Sequence, residues 1–137
     1  ELSDGIEPVY FEWYDMGKLT QRIDDFYAEE DFNMTDEYLE NALKKNVSPL
    51  GRDYIERIQI ANRHSRLTFR GLMAGIGGNE QKMKEQAGEL VEFRIENRDN
   101  IDMNWGTLFW AQYYHLYDQI GTRFLGILSE DINMKDY

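Results

Sequence analysis

The chain has 137 residues, with 15 basic and 26 acidic side chains, a net charge of −11, and 42% hydrophobic and 14% aromatic content. That length predicts a single domain with a sizeable core, and the apolar content excludes a disordered chain. With no cysteine and only two histidines, disulfides, thiol catalysis, zinc–thiolate sites and iron–sulfur clusters are excluded, and most acid–base or metal schemes lack parts.

The charge is uneven. Residues 1–40 hold 13 of the 26 acids against only Lys18 and Arg22, whereas residues 41–137 carry 13 of each sign. Non-specific nucleic-acid binding depends on neutralising phosphates, so no direct nucleic-acid partner is expected. The start at Glu1 leaves processing, a removed targeting segment and missing residues equally open, and no compartment or cofactor is predicted.

Residues 1–11 carry Gly5 and Pro8 and read as an extended arm. Phe11 and Trp13 alternate with polar neighbours; they either tuck into the core or dock onto a partner. A helix is expected over 12–31, with Trp13, Met16, Leu19, Ile23 and Phe26 at helical spacing. Asp24, Asp25, Glu29, Glu30 and Asp31 then fall at its C-terminal end, where the macrodipole disfavours anions. They read as a solvated face or as a cluster answering a basic surface, because the spacing of a calcium loop is missing. Thr35 is the expected N-cap of a short helix over 36–45 that buries Tyr38, Leu39, Ala42 and Leu43. Pro49 ends that segment.

Residues 51–75 form a second long helix with Tyr54, Ile55, Ile58, Ala61, Phe69, Leu72 and Met73 on one face. Arg52, Arg63, Arg66 and Arg70 share another face. Residues 44–70 hold seven bases and two acids. This stripe either pairs with the acidic N-terminal helices or offers guanidinium forks to a carboxylate or phosphate partner.

Gly75-Ile-Gly-Gly78 stops the helix and is no phosphate loop, since it follows a helix and lacks the Gly-Lys-Ser/Thr ending. Asn79 caps a helix over 79–97 that buries Met83, Ala87, Leu90, Val91 and Ile95. The alternation Val91-Glu-Phe-Arg-Ile95-Glu also fits a strand pairing with residues 9–13.

The last helix, 105–128, is the spine. Trp105, Phe109, Tyr113, Leu116, Ile120, Phe124 and Ile127 share one side, and His115, Asp118 and Arg123 interrupt it too often for a membrane span. His115 and Asp118 could pose as a base and its orienting partner, but they read as a satisfied structural seam. Glu-x-x-His di-iron spacing is absent, with Ala61 and Gln112 at the required places, and so are nucleophile-elbow and dinucleotide patterns. Tyr10, Tyr14, Tyr113, Tyr114 and Tyr117 are the tyrosines expected at an interface.

The order of a long helix ending in Arg66-Leu-x-x-Arg70-Gly-Leu72, a short turn, an amphipathic helix and a tyrosine-bearing final helix loosely resembles the PsbQ-like four-helix extrinsic subunits of photosystem II, over residues 52–128. The resemblance implies an extrinsic subunit of a photosynthetic or respiratory membrane complex, associated peripherally.

The expected fold is all-α: an antiparallel bundle of four main helices (12–31, 51–75, 79–97, 105–128) with a short 36–45 helix. The expected role is a non-enzymatic binding or accessory subunit, without cofactor or metal, docking into a larger protein assembly through the acidic N-terminal region and the arginine stripe. The alternative is an acidic DNA mimic that occupies a nucleic-acid-binding protein. That reading requires the carboxylates to stand exposed in a row.

Overall fold

Ser48 and Pro49 open the longest element among the described residues. Ser48 sits in extended backbone and its Oγ accepts from Gly51 N at 3.1 Å, while Pro49 takes the first helical position, where a missing N–H costs nothing. The computed structural model describes residues 20–100 and 119–131, with side chains described for 22–100 and 120–128. The elements are a 3₁₀ turn over Thr20–Asp25, α1 over Glu29–Leu43, α2 over Pro49–Ile76, α3 over Glu80–Glu96 and α4 over Gln119–Asp131. No strand occurs among the described residues.

The fold is the expected all-α antiparallel bundle, with its beginning redrawn. The helix expected over 12–31 and the short helix over 36–45 are replaced, within the described residues, by a kinked 3₁₀ turn, a break at Phe26–Ala28 and one continuous helix, α1. Asp31 explains the new start, since its Oδ2 accepts from Ala28 N at 2.7 Å. Glu29, Glu30 and Asp31 therefore occupy the first turn of a helix, where the macrodipole favours anions. Thr35 is no cap. It lies mid-helix and its Oγ1 donates back to Asp31 O at 2.8 Å.

Gly77 and Gly78 end α2, and Gly78 adopts φ +67°, the left-handed conformation that glycine tolerates. Asn79 caps α3 as expected, its Oδ1 accepting from Lys82 N at 3.0 Å. The alternating segment Val91–Glu96 is helix rather than strand. It buries Phe93 and Arg94 and leaves Ile95 at 38% exposure, so the expected burial of Ile95 is corrected.

The core lies where the C-terminal half of α2 meets α3 and α4. Leu72, Leu90, Phe124 and Leu128 are essentially inaccessible there. Gly71 faces the Phe124 ring so closely that a Cβ would collide with it, and Gly75 is equally filled by Met83 and Ile120. Of the apolar face expected on α2, Phe69 and Leu72 are buried and Ile55, Ile58 and Met73 half-buried, whereas Tyr54 and Ala61 are exposed. The reason is length. At about 1.5 Å per residue, α2 runs about 42 Å against about 26 Å for α3, so its N-terminal turns pass beyond the core.

Candidate interaction surface

Arg66 and Arg70 lie one turn apart on α2, opposite the first two turns of α1. Arg70 meets Glu29 through Nη2 and donates from Nε to both carboxylate oxygens at 3.1 Å. Arg66 reaches Asp36 at 2.7 Å, Asn33 Oδ1 at 3.3 Å and Glu29 at 3.6 Å, with its guanidinium 5.9 Å from the Phe32 ring centre. Asn62 joins the cluster, donating to Asp36 Oδ1 at 2.7 Å and to Phe32 O at 3.1 Å. The hydrogen bond from Arg70 is the main reason that the Glu29 carboxyl is held below its ordinary range, against the opposing effect of burial.

The other arginines of the stripe diverge. Arg52 Nη2 lies 3.5 Å from Leu43 O, at the negative C-terminal end of α1. Arg63 turns the other way and places its guanidinium 5.2 Å from the centre of the Phe93 ring. Among the acids, Asp25 pairs with Arg22 at 2.7 Å, Asp31 caps α1, Glu30 accepts from Asn33 at 3.4 Å, and Asp24 is exposed in the 3₁₀ turn. Thus Glu29, Arg66 and Arg70 form one cluster, and the other expected interaction residues do not join it. Phe11, Trp13, the His115–Asp118 pair and the five tyrosines expected at an interface lie outside the described residues.

A cleft of about 900 Å³ opens beside this cluster, between the 3₁₀ turn, α2 and α3. Tyr27, Phe69 and Met73 line it together with Arg70 and Lys82, and with the acids Asp24 and Glu89. Charges of both signs alternate around it, and the Arg70 fork is already engaged by Glu29. Among the described residues, no group of three or more His, Asp or Glu side chains could hold a metal.

One buried polar pair was not expected. Arg94 of α3, 1% exposed, directs Nε and Nη2 at His64 Nε2 of α2, at 3.3 and 3.2 Å. Accepting at Nε2 requires the neutral imidazole, and burial, reinforced by the Arg94 charge, pushes His64 down to about 4. The pair fastens α2 to α3 and contacts no cleft named above. The sequence signal for it is the long α2 itself, on which His64 falls one turn before the apolar Leu67.

The remaining unusual surface is apolar. Tyr38 on α1 and Leu50 and Tyr54 on α2 are 69, 78 and 65% exposed. Leu50 and Tyr54 stand on the part of α2 that extends past α3, where they line a shallow recess with Ser48 and Gly51, whereas Tyr38 lies on the side of α1 turned away from α2. Comparison with protein-family models, with curated proteins and with solved structures finds no match to this chain.

Proposed function

We propose that the chain is a non-enzymatic binding or accessory subunit that docks onto protein through the projecting α1–α2 hairpin. One observation carries the reading: the large side chains Leu50 and Tyr54 are exposed together on α2 near the end of that hairpin, while Arg66 and Arg70 of the stripe are engaged by α1. Large apolar and tyrosine side chains gathered on one surface favour protein contact. The docking surface is thereby moved from the arginine stripe, whose Arg66 and Arg70 spend their hydrogen bonds on α1.

The DNA-mimic alternative is less favoured, since Glu29 and Asp36 pair with Arg66 and Arg70, although Asp24, Glu30, Asp31, Glu37 and Glu40 are exposed. Attachment to a membrane complex rests on helix order alone. No helix among the described residues is long and apolar enough to cross a membrane, which is compatible with a peripheral position.

The test is affinity capture of partners from the cells that make the protein, at low and then moderate salt. Wild type should retain a partner at moderate salt, because apolar burial is insensitive to screening. Leu50→Glu with Tyr54→Glu should lose it, and Arg63→Gln should not. Equal capture by the double glutamate variant would refute the proposal.

A further inference from the structure

Of the described helices, α1 is the least embedded. Phe32 is its only fully buried side chain, with Leu39, Ala42 and Leu43 half-buried. Among the described residues, no part of α1 belongs to the apolar core that α2, α3 and α4 build. Phe32 lies against Phe69 of α2 with ring centres 5.3 Å apart and stacks on Tyr27 at 6.3 Å. A cavity of about 340 Å³ remains beside it, reaching Ile23, His64 and Thr68, and the cleft of about 900 Å³ shares Tyr27 and Phe69 with it. The polar ties are open to solvent, since the carboxylates of Asp36 and Glu29 are 37 and 40% exposed. An element with few buried apolar contacts, incomplete packing and solvated ion pairs is one that opens locally while the core stays folded.

What α1 covers is a specific surface. Asn62, Arg66 and Arg70 recur at every fourth residue of α2 and share one face. Against them α1 sets Glu29, Phe32 and Asp36, at positions i, i+3 and i+7. Arg70 holds the first carboxylate through Nε and Nη2, Arg66 and Asn62 hold the second, and Phe69 receives the ring. Asn62 also donates to Phe32 O, a backbone atom that any helix in this place would offer. The surface therefore reads a helix with the spacing acid-x-x-Phe-x-x-x-acid, and not charge alone.

We infer that α1 is a displaceable cover that acts as an internal ligand, and that the α2 surface of Asn62, Arg66, Phe69 and Arg70 binds an acidic helix of a partner protein with the same acid–Phe–acid spacing. Residues 44–48, with Lys44, Lys45 and Asn46 exposed, are the hinge. Because α1 competes at the high effective concentration that a short linker imposes, the closed chain binds such a helix weakly, and loosening the ties of α1 releases the surface. The inference goes beyond the hairpin reading and does not depend on it, since Leu50 and Tyr54 take no part.

Two measurements on the full chain test it. In hydrogen exchange, the protection factors of α1 amides should lie about tenfold or more below those of α3; equal protection overturns the displaceable cover. In fluorescence anisotropy, a labelled peptide of residues 26–45 should bind the Glu29→Gln, Asp36→Asn chain about tenfold or more tightly than it binds wild type. Both carboxylates are partly exposed, so this variant should keep the far-ultraviolet circular dichroism spectrum of the wild type. Adding Arg66→Gln and Arg70→Gln should abolish binding, and a Phe32→Ala peptide should bind neither chain. Failure of the wild-type peptide to bind the loosened variant overturns the inference, as does binding that survives loss of both arginines. Equal binding by the Phe32→Ala peptide reduces the recognition to charge and overturns the acid–Phe–acid partner. A loosened variant that dimerises by exchanging α1 assigns the surface to a second copy and overturns the partner protein.

Discussion

The two halves of α2 have similar helical propensity and opposite fates. From Asn62 to Ile76 the helix is clasped: α1 on one side through Asp36 and Glu29, α3 through Arg94, and α4 through Phe124 and Ile120. From Pro49 to Ala61 it reaches the core only through its last turn at Ile60, and Leu50 and Tyr54 face solvent. The difference teaches that a helix outrunning the described helices beside it leaves its outer stripe exposed. It also separates core from surface, and substitutions in the two halves should differ in kind.

The largest effect is expected in the clasped half. Phe124→Ala removes a fully buried ring that fills the space over Gly71, and should destabilise the fold by about 3–5 kcal/mol in urea titration. Next comes acid. Above pH 6.5 both folded and unfolded chains hold His64 neutral. As the pH falls, the unfolded chain takes up a proton that the core refuses until about 4. Stability should therefore fall between pH 6.5 and 4, by about 3 kcal/mol, and His64→Gln should flatten that part of the profile. A profile unchanged in the variant would show that His64 is not the group responsible. Gly71→Ala should cost about 1–3 kcal/mol, because the added methyl meets the Phe124 ring with no free space to take it.

Much of this fold is legible in the sequence, for identifiable reasons. The limits of α2 and α3 follow from local chemistry at Ser48, Pro49, Gly78 and Asn79, which acts over a few residues. The start of α1 is less visible, because it depends on a side chain inside the helix, Asp31, reaching back to Ala28 N. Thr35 is a good N-cap by type and is overridden by the continuous helix around it. The pairing of Arg66 and Arg70 with the acidic segment was readable as charge complementarity, but the partners were not. Their choice depends on how α1 lies along α2, which no spacing within one helix encodes. The exposure of Tyr54 was illegible for the same reason. Periodicity tells which residues share a face, and only the lengths of neighbouring helices tell how far that face is covered.

The ion-pair cluster at the boundary between the halves should contribute little. Glu29 is about 40% exposed beside Arg70, and pairs this open are worth about 0–1 kcal/mol. Glu29→Gln should shift the urea midpoint slightly, and less still in high salt. The hydrogen bond from Arg70 keeps Glu29 below its ordinary range, so its contribution is present at neutral pH and disappears once acid protonates it. A loss of several kcal/mol in Glu29→Gln would mean that the pair anchors α1 outright.

The smallest effect on folding is expected in the free half, and it sharpens the comparison most. Leu50→Ser and Tyr54→Ser alter side chains already 78 and 65% exposed, so in dilute protein the urea midpoint should move by no more than about 0.5 kcal/mol. If the variants are strongly destabilised even when dilute, the free half belongs to the core after all, and the division of α2 drawn above fails.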